Sequence, residues 1–355
     1  MQTQKGKLEL GKEYLPPGEE DAIQVIEQIS TQQIQQNSQT DERPVRRDAH
    51  AKHHGCVKAE FIVETDLSEE IRFGVFKEPG KSFTACIRFS NASGDANQPD
   101  SKADARGMAI KLIGVEGEKL LNEEKHEKTQ DFVMINHPVF FIRNVSDYIE
   151  FFKAIRDSQG KPPLKFFFPS ANPFRWRLHE FMIGRAIRSK KIVSPLEIQY
   201  WSTTPYKLGS RAMKFTVKPS AENNLGRSAS NSPNYLREAM VEHLNSKEAS
   251  FDFLVQLQTD ADRMPIEDPT IEWKSPYQKI ATLKIAPQAF DSPEQMEFCE
   301  NLSYTPWHSL PEHSPLGGIN RARKKVYESV SKLRHELNGV PKREPTEEEL
   351  LKVFR

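Results

Sequence analysis

Apolar residues recur at helical spacing near the C-terminal end of the chain. The five that repeat every three, four or seven residues are Ile319, Val326, Val330, Leu333 and Leu337, and this spacing places them on one stripe of a helix. Glycines precede and follow the stretch, and Pro341 comes just after it, which is typical of helix ends. The pattern predicts a helix over residues 315–339 with one face packed on a core.

The middle of the chain shows a different pattern, in which short apolar runs alternate with turns rich in Gly, Pro and Asp. These runs predict strands near residues 61–63, 70–76, 82–89, 107–114, 131–135, 198–201, 212–217, 251–258 and 278–285. Helices are predicted at 144–156 and 235–244. The fold class indicated is α+β, with a meandering antiparallel sheet or barrel instead of alternating parallel units.

The two ends of the chain are polar. Residues 1–45 contain a short helical pattern near 20–29 and a glutamine-rich run at 32–39, so we expect a partly disordered N-terminal arm. Such an arm could pack on a second subunit, which is consistent with a homo-oligomer. Residues 46–340 then form one domain, and 341–355 form a charged C-terminal tail. Within the domain, residues 162–173 are expected to make a buried or ligand-facing turn.

Composition narrows the class of protein. Fifty basic residues balance fifty acidic ones among 355, which does not favour a nucleic-acid partner. The three cysteines lack metal-ligand spacing, so we expect reduced thiols in a cytoplasmic protein. No transmembrane segment, phosphate loop, dinucleotide fingerprint or GxSxG elbow is found in the sequence.

Candidate chemistry begins on the predicted C-terminal helix, where Arg323, Tyr327 and Arg334 lie along one margin of the apolar stripe. A neighbouring guanidinium favours the phenolate form of a tyrosine, and a phenolate can bind ferric iron. The alternative is that Tyr327 reaches water beside two solvated arginines.

A histidine cluster forms a second candidate, because His50, His53 and His54 follow Arg47 closely. A zinc site is disfavoured, since Gly55 interrupts helical spacing and no further ligand stands at a zinc-site distance. A general base in a pocket and a surface cluster beside a strand are both consistent with the sequence.

Taken in order, these segments resemble the haem catalases. The resemblance rests on His50-Ala51-Lys52 with Gly55, on Arg88-Phe89-Ser90, on residues 104–111 (DARGMAIK), on residues 131–143 (DFVMINHPVFFIR), and on Arg323-x-x-x-Tyr327 with Arg334. It is closest to a short catalase-related branch that includes allene oxide synthases and uncharacterised bacterial members. It implies a catalase-type antiparallel β-barrel surrounded by helices, with haem b between the barrel and the C-terminal helix.

The resemblance also implies roles on the haem side of the site. Tyr327 would be the iron ligand, and Arg323 would hold it deprotonated. Arg47, Arg88 and Arg334 would meet haem propionates or brace the pocket. Phe141 would pack against the macrocycle or belong to the core.

On the peroxide side, the resemblance implies that His50 moves protons, that the Ser90 hydroxyl orients it, and that Asn136 donates a hydrogen bond to peroxide. The family has two successive asparagines where this chain has Ile135-Asn136. If the first is the functional one, Asn136 is one position out of register, and in a strand that means the opposite face.

The function implied is haem-dependent oxidation with hydrogen peroxide or an organic hydroperoxide as substrate. One alternative is rearrangement of a fatty-acid hydroperoxide, which would need an apolar channel, with Phe151-Phe152 and Phe166–Phe168 as candidate lining. A second is a non-catalytic haem carrier or sensor, which needs Tyr327 but not His50.

Overall fold

Nine antiparallel strands form a single sheet in the order β5-β4-β3-β2-β1-β9-β8-β7-β6. A further pairing of β5 with β7 closes eight of them into a barrel, and β6 extends β7 outside the closed circle. The structure is a computed structural model that describes residues 7–39, 43–158, 162–226 and 228–355. The predicted antiparallel barrel with surrounding helices is confirmed.

The strands and helices have the following bounds. The strands are β1 His53–Val63, β2 Ser82–Asn91, β3 Arg106–Ile113, β4 Thr129–Ile135, β5 Tyr200–Trp201, β6 Tyr206–Leu208, β7 Arg211–Pro219, β8 Ala249–Leu257 and β9 Tyr277–Ile285. The helices are α1 Glu19–Ser38, α2 Val145–Ser158, α3 Leu164–Phe167, α4 Leu178–Ser189, α5 Tyr235–Leu244, α6 Pro293–Asn301, α7 Gly318–Asn338 and α8 Glu347–Val353.

Aromatic side chains fill the barrel. Phe132 lies 5.0 Å from Phe253 and 5.2 Å from Phe215, measured between ring centroids, and Phe61 lies 5.3 Å from Phe253. These residues come from strands whose alternate side chains point inward. Edge-to-face ring packing of this kind adds to the hydrophobic free energy of burial.

The strand predicted over residues 70–76 is wrong. The chain there makes two 3₁₀ turns, Glu69–Ile71 and Gly74–Phe76. Gly74 has a φ of 52°, which a strand does not allow. Phe76 is nevertheless buried in the barrel core, 5.8 Å from the Phe253 ring, and this explains why the segment has the apolar character of a strand.

Within residues 7–39, the N-terminal arm contains the long helix α1. Helix α1 packs on α2 and α7 of the same chain, with Ile26 and Ile34 fully buried. Residues 32–38 of the glutamine-rich run are helical and form the last part of α1. Arg321 on α7 binds Glu13 and Glu19, so charge as well as apolar contact holds the arm.

The charged C-terminal segment also packs as part of the domain. It forms α8, whose Leu350 is fully buried, and Phe354 just after it is 3% exposed. Both side chains join the cluster that includes the barrel core.

Two of the three cysteines form a disulfide, so the expectation of reduced thiols is wrong for them. Cys56 on β1 and Cys299 on α6 are 243 residues apart in sequence, and their Cα atoms are 5.5 Å apart. Packing of α6 on β1 brings them together, and no local sequence pattern reveals such a contact. Cys86 is free and buried, and burial raises the pKa of its thiol to about 12.

Helix α7 confirms the prediction made from its apolar stripe. Gly317 and Gly339 flank it with φ values of 87° and 65°, a backbone region that favours glycine. None of the helices in the described ranges has both the length and the apolar character required to cross a bilayer.

Candidate functional site

A cavity lies between one face of α7 and the outer side of strands β2, β3 and β4. Tyr327, Ser331 and Arg334 line it from α7, because residues four and seven positions apart share a helix face. The residues that line it from the barrel side are Arg88, Ser90, Gly107, Met108, Ala109, Val133 and Met134, together with the segment Arg47–His50 that precedes β1. Seven of the predicted site residues are thus in or beside one cavity.

Three hydrogen bonds hold His50, one through its side chain and two through its backbone. Its Nδ1 lies 2.9 Å from the Ser90 hydroxyl, its backbone N–H donates to Ala92, and its carbonyl accepts from Arg88 Nη2 at 2.8 Å. The backbone adopts a φ of 57°, which is uncommon for a residue with a side chain. A constrained imidazole of this kind keeps one orientation.

Gly107 provides the space for that imidazole. It pairs with Ser90 across β2 and β3, and a Cβ atom on Gly107 would lie only 2.5 Å from His50 Nδ1. Burial, and then the charges of Arg88 and Arg323, lower the pKa of His50 to about 3. The imidazole is therefore neutral at physiological pH and able to accept a proton.

Tyr327 presents its phenol to the same cavity. Its hydroxyl forms no hydrogen bond within the described ranges, so its oxygen lone pairs are available. Burial raises the pKa of Tyr327, and Arg323 only partly offsets this. The expected effect of the guanidinium is present, but burial outweighs it, so the phenolate requires a further positive charge.

Arg323 is fixed one turn before Tyr327. Its guanidinium lies 5.3 Å from the centre of the Phe140 ring and donates to Thr204 Oγ1 at 3.2 Å and to Asn320 Oδ1 at 3.3 Å. Two neutral acceptors and an aromatic face orient this cation. Its charge therefore remains directed toward the phenol.

Positive charge is concentrated at the other end of the cavity. Arg47 and Arg334 meet at Glu300 on α6, with Arg47 Nη1 3.2 Å from Oε1 and Arg334 Nη1 2.9 Å from the backbone carbonyl. Arg88 lines the cavity nearby, and its buried Nε has no hydrogen-bond partner among the described residues. Burial and then the charge of Arg47 lower the pKa of Arg334 to about 9. The Glu300 carboxylate thus pairs with Arg46, Arg47 and Arg334, and Arg88 lies near it.

Sequence reasoning missed Glu300. Burial alone would raise its pKa, but the surrounding arginines outweigh burial and lower it. Nothing in the sequence around Glu300 distinguishes it from other acidic residues on helices, since its importance comes from four arginines that are distant in sequence, among them Arg46 at 2.8 Å.

Asn136 is not among the residues that line the cavity, and its buried amide nitrogen has no hydrogen-bond partner among the described residues. Its amide oxygen accepts a hydrogen bond from the Arg106 backbone N–H at 2.8 Å. Ile135, not Asn136, pairs with Gly107 across β3 and β4, and directly paired residues share a face of a sheet. The one-residue change in register therefore leaves an isoleucine on the side where His50 lies.

Phe141 also lies outside the cavity lining. Its ring packs 5.1 Å from Phe140 and 5.0 Å from Phe151, and Phe166 continues the cluster at 5.3 Å from Phe151. The phenylalanines predicted as candidate channel lining are thus stacked on one another as core. This arrangement fits the structural alternative for Phe141.

A second group of charges borders the cavity. His308, which lines it, has Nδ1 2.8 Å from Asp131 Oδ2, and Lys111 Nζ lies 2.7 Å from Asp131 Oδ1. Glu344 and Glu124 complete the group. Burial alone would lower the pKa of His308, but Glu344 and Asp131 raise it to about 9.

The donor atoms of Glu124, His308 and Glu344 lie within 4.8 Å of one another, a spacing compatible with a metal ion. Lys111 and Lys342 already contact these carboxylates. Three carboxylates facing two lysines and a protonated histidine form a balanced ionic network. We therefore interpret this group as structural.

Part of the chain is similar in sequence to catalases. Residues 13–178 match the family model described as Catalase. A catalase from Latilactobacillus sakei is 34% identical over 110 residues, which cover 31% of this chain and 20% of that protein. A catalase-like protein from Staphylococcus aureus is 30% identical over 124 residues, which cover 35% of this chain and 25% of that protein. The matched segments span a quarter or less of these relatives.

Solved structures show the same fold over nearly all of the chain. A fungal catalase superposes with a TM-score of 0.66 at 19% identity, covering 94% of this chain and 66% of the fungal one. Catalase A from Saccharomyces cerevisiae gives 0.64 at 19% identity, covering 95% and 70%. The chain is thus similar to catalases in sequence over residues 13–178 and shares their fold over nearly all of its length.

Proposed function

We propose that this protein binds haem b through Tyr327 and uses it to oxidise substrates at the expense of a peroxide. The observation that carries the proposal is the shared cavity, in which an unbonded phenol on α7 and a fixed imidazole before β1 both line the walls. The catalase family and fold support a peroxide-related activity.

The donor chemistry of the cavity fits haem. Tyr327 offers an oxygen ligand, and an iron cation would supply the positive charge that its phenolate requires. Arg47, Arg88 and Arg334 line the cavity, and they share the single carboxylate of Glu300 with Arg46. The excess of positive charge suits the two carboxylates of a haem. The unpartnered Nε of Arg88 is a ready donor for one of them.

When bound, haem supplies the electrons for cleavage of the O–O bond, and the chain supplies proton transfer. Because Ser90 engages Nδ1, Nε2 of His50 is the nitrogen left to accept the proton from the peroxide oxygen. The same atom returns that proton to the leaving oxygen.

A second candidate is rearrangement of a fatty-acid hydroperoxide. Ile135 is paired with Gly107, but its side chain packs against the apolar cluster of α4 and is not among the residues that line the cavity. The phenylalanines once considered as channel lining do not support it, because their rings pack on one another.

Titration with ferric haem, followed by absorption spectroscopy, tests the proposal. We expect the wild-type protein to give a high-spin ferric spectrum with a tyrosinate charge-transfer band, and Tyr327→Phe to lose that band. Tyr148→Phe is the matched control, since Tyr148 also lies near Arg323 but outside the cavity lining. An unchanged spectrum for Tyr327→Phe would refute the ligand assignment.

Turnover is tested on the haem-loaded protein with two substrates. Oxygen release from hydrogen peroxide indicates the first function, and loss of the conjugated diene of a lipid hydroperoxide indicates the second. His50→Ala should retain haem and lose activity by about 100-fold or more, the usual contribution of general acid–base catalysis. Full activity in His50→Ala would contradict both enzymatic functions as proposed, and the remaining alternative would be a haem carrier.

A further inference from the structure

Large apolar side chains are exposed together on α3, α4 and the loop between them. Leu164, Phe174, Trp176, Leu178 and Met182 make up five of the twelve exposed large hydrophobic residues among the described ones. Phe174 is 99% exposed and Met182 is 57% exposed. We call this surface the 164–182 patch. Such clustering on a folded protein indicates an interaction surface.

Helix α4 has one apolar face that packs on the core and a second apolar face that is exposed. Its inner face places Ile183 and Ile187 in an apolar cluster with Ala105 and Val139. Leu178 and Met182 are exposed and lie one turn apart on the same face. The helix therefore carries an outer apolar stripe that its own fold does not use.

The patch is held rigidly from beneath. The Phe168 ring lies 5.3 Å from Trp176 and 5.0 Å from Phe181, and the Trp176 indole N–H donates to the Ser170 carbonyl at 2.8 Å. The side chain of Asn172 accepts from the Phe174 backbone N–H. Phe174 thus projects from an ordered turn.

Basic residues are frequent in the segment that carries the patch. The exposed cations between residues 164 and 191 are Lys165, Arg175, Arg185, Arg188, Lys190 and Lys191. The acidic residue of this segment, Glu180, is buried and bonded to Arg143 at 2.8 Å. Within the described ranges, Lys165, Arg175, Arg185 and Lys191 form no ion pair. Residues 164–191, whose exposed cations we call the basic rim, therefore carry a net positive charge, with Asp147 and Glu150 of α2 beside Arg175.

We propose that the 164–182 patch binds the surface of a membrane containing anionic lipids. Exposed Phe, Trp and Leu side chains enter the boundary between headgroups and acyl chains, and neighbouring Lys and Arg bind acidic headgroups. A second copy of the chain fits less well, because two such basic rims would repel each other. The proposal stands on this surface alone and does not depend on haem.

Flotation of the full chain with large unilamellar vesicles tests the proposal. Phosphatidylcholine vesicles are compared with vesicles that also contain phosphatidylglycerol, at low and at high salt. We expect binding to the anionic vesicles to be stronger by about tenfold or more and to weaken in high salt. Equal binding to both kinds of vesicle, or binding to neither, would overturn the proposal.

Matched variants distinguish the apolar side chains of the 164–182 patch from exposed apolar side chains elsewhere on the protein. Phe174→Ala with Leu178→Ala and Met182→Ala should reduce binding by about tenfold or more, since each side chain contributes apolar burial. The control combines Leu10→Ala, Leu15→Ala and Leu351→Ala, which are exposed elsewhere and should leave binding unchanged. Equal loss in the two triple variants would refute the assignment to this surface.

Charge reversal gives the second pair of variants. Arg175→Glu with Arg185→Glu and Lys191→Glu should abolish the preference for anionic vesicles. The same reversal at the exposed residues Lys102, Lys247 and Lys284 should retain it. Sedimentation velocity provides the last measurement. Dimerisation that the Phe174, Leu178 and Met182 variant removes would show that a second copy is the occupant, and would overturn the proposal.

Discussion

At the scale of single residues, the cavity depends on the absence of a side chain at Gly107. The His50 ring occupies the space that a methyl group there would fill, and the Ser90 hydroxyl lies within 2.8 Å of the same point. No φ outside the ordinary strand range constrains this glycine. Its role is therefore to admit the imidazole, not to permit an unusual backbone.

Gly107→Ala should displace the His50 ring. We expect peroxide consumption by the haem-loaded protein to fall sharply and the free energy of unfolding to fall by about 1–3 kcal/mol, as is usual for overpacking. Activity assays and urea denaturation measure the two effects.

The matched control is Gly184→Ala on α4, where a Cβ would lie at an ordinary 3.7 Å from Phe167. It should preserve activity and change stability by less than about 1 kcal/mol, because alanine favours a helix. Wild-type activity in Gly107→Ala would show that the imidazole does not need this space.

The sequence predicted individual residues well where a motif defined their spacing. Tyr327 and Arg334 were expected on one margin of a helix, and both line the cavity from α7. The sequence did not determine on which face of the sheet Asn136 lies, because a shift of one residue in register moves a strand side chain to the opposite face. Glu300 could not be found, since its arginine partners are brought to it by the tertiary fold.

At the scale of elements, the ionic network around His308 joins β3, β4 and the segment before α8. Lys111 belongs to β3, Asp131 to β4, and Glu344 to the C-terminal segment. Each of these three charges is almost completely buried. Leaving one of these buried charges unpaired costs several kcal/mol. The ion pairs of Lys111 with Asp131 and Glu344 therefore hold β3, β4 and the C-terminal segment together.

The network predicts a loss of stability at alkaline pH. The pKa of His308 is about 9 in the folded protein, and an unfolded histidine has a pKa of about 6.5. Its contribution is complete below pH 6.5 and is lost as the pH rises through 9. The shift corresponds to a change on the order of 3 kcal/mol in the free energy of unfolding.

Urea denaturation at pH 6 and at pH 9.5 measures this effect. The difference between the two pH values should shrink in His308→Gln and persist in His126→Gln, which alters an exposed histidine. Comparing variants removes the contribution of other groups that titrate in this range. Identical differences in wild type and His308→Gln would contradict the assignment.

Elements were predictable where local pattern and tertiary role agreed. The helix at residues 235–244 and the strands of the barrel were anticipated closely. Residues 70–76 had the apolar composition of a strand, yet form turns that insert Phe76 into the barrel core. Helix α4 was missed because it carries two apolar stripes, which obscure the single-face pattern of a helix.

At the scale of the whole molecule, the two chain ends stabilise the barrel and the cavity instead of extending from them. Helix α1 covers α7, and α8 packs near α6. The buried Leu350 adds the C-terminal segment to the barrel cluster. The polar composition of the two ends suggested that they are solvated. Only a few apolar side chains fix the position of each end, so composition alone does not reveal the packing.

Adjacent leucines on α8 test this directly. Leu350→Ala should lower the free energy of unfolding by about 2–4 kcal/mol, because it removes a fully buried side chain. Leu351 is 47% exposed, and Leu351→Ala should cost less than about 0.5 kcal/mol. Thermal or urea unfolding distinguishes them, and equal effects would show that the segment does not pack on the core.

The bond between Cys56 and Cys299 ties together distant parts of the chain. A protease that cleaved once between these two residues, for example in the exposed stretch around Ser230, would leave two fragments still covalently attached. Such a nicked molecule would migrate as one band on a non-reducing gel and as two after addition of a thiol. The chain between Cys56 and Cys299 is thus a covalently closed loop, and the segments before and after it are the two free ends.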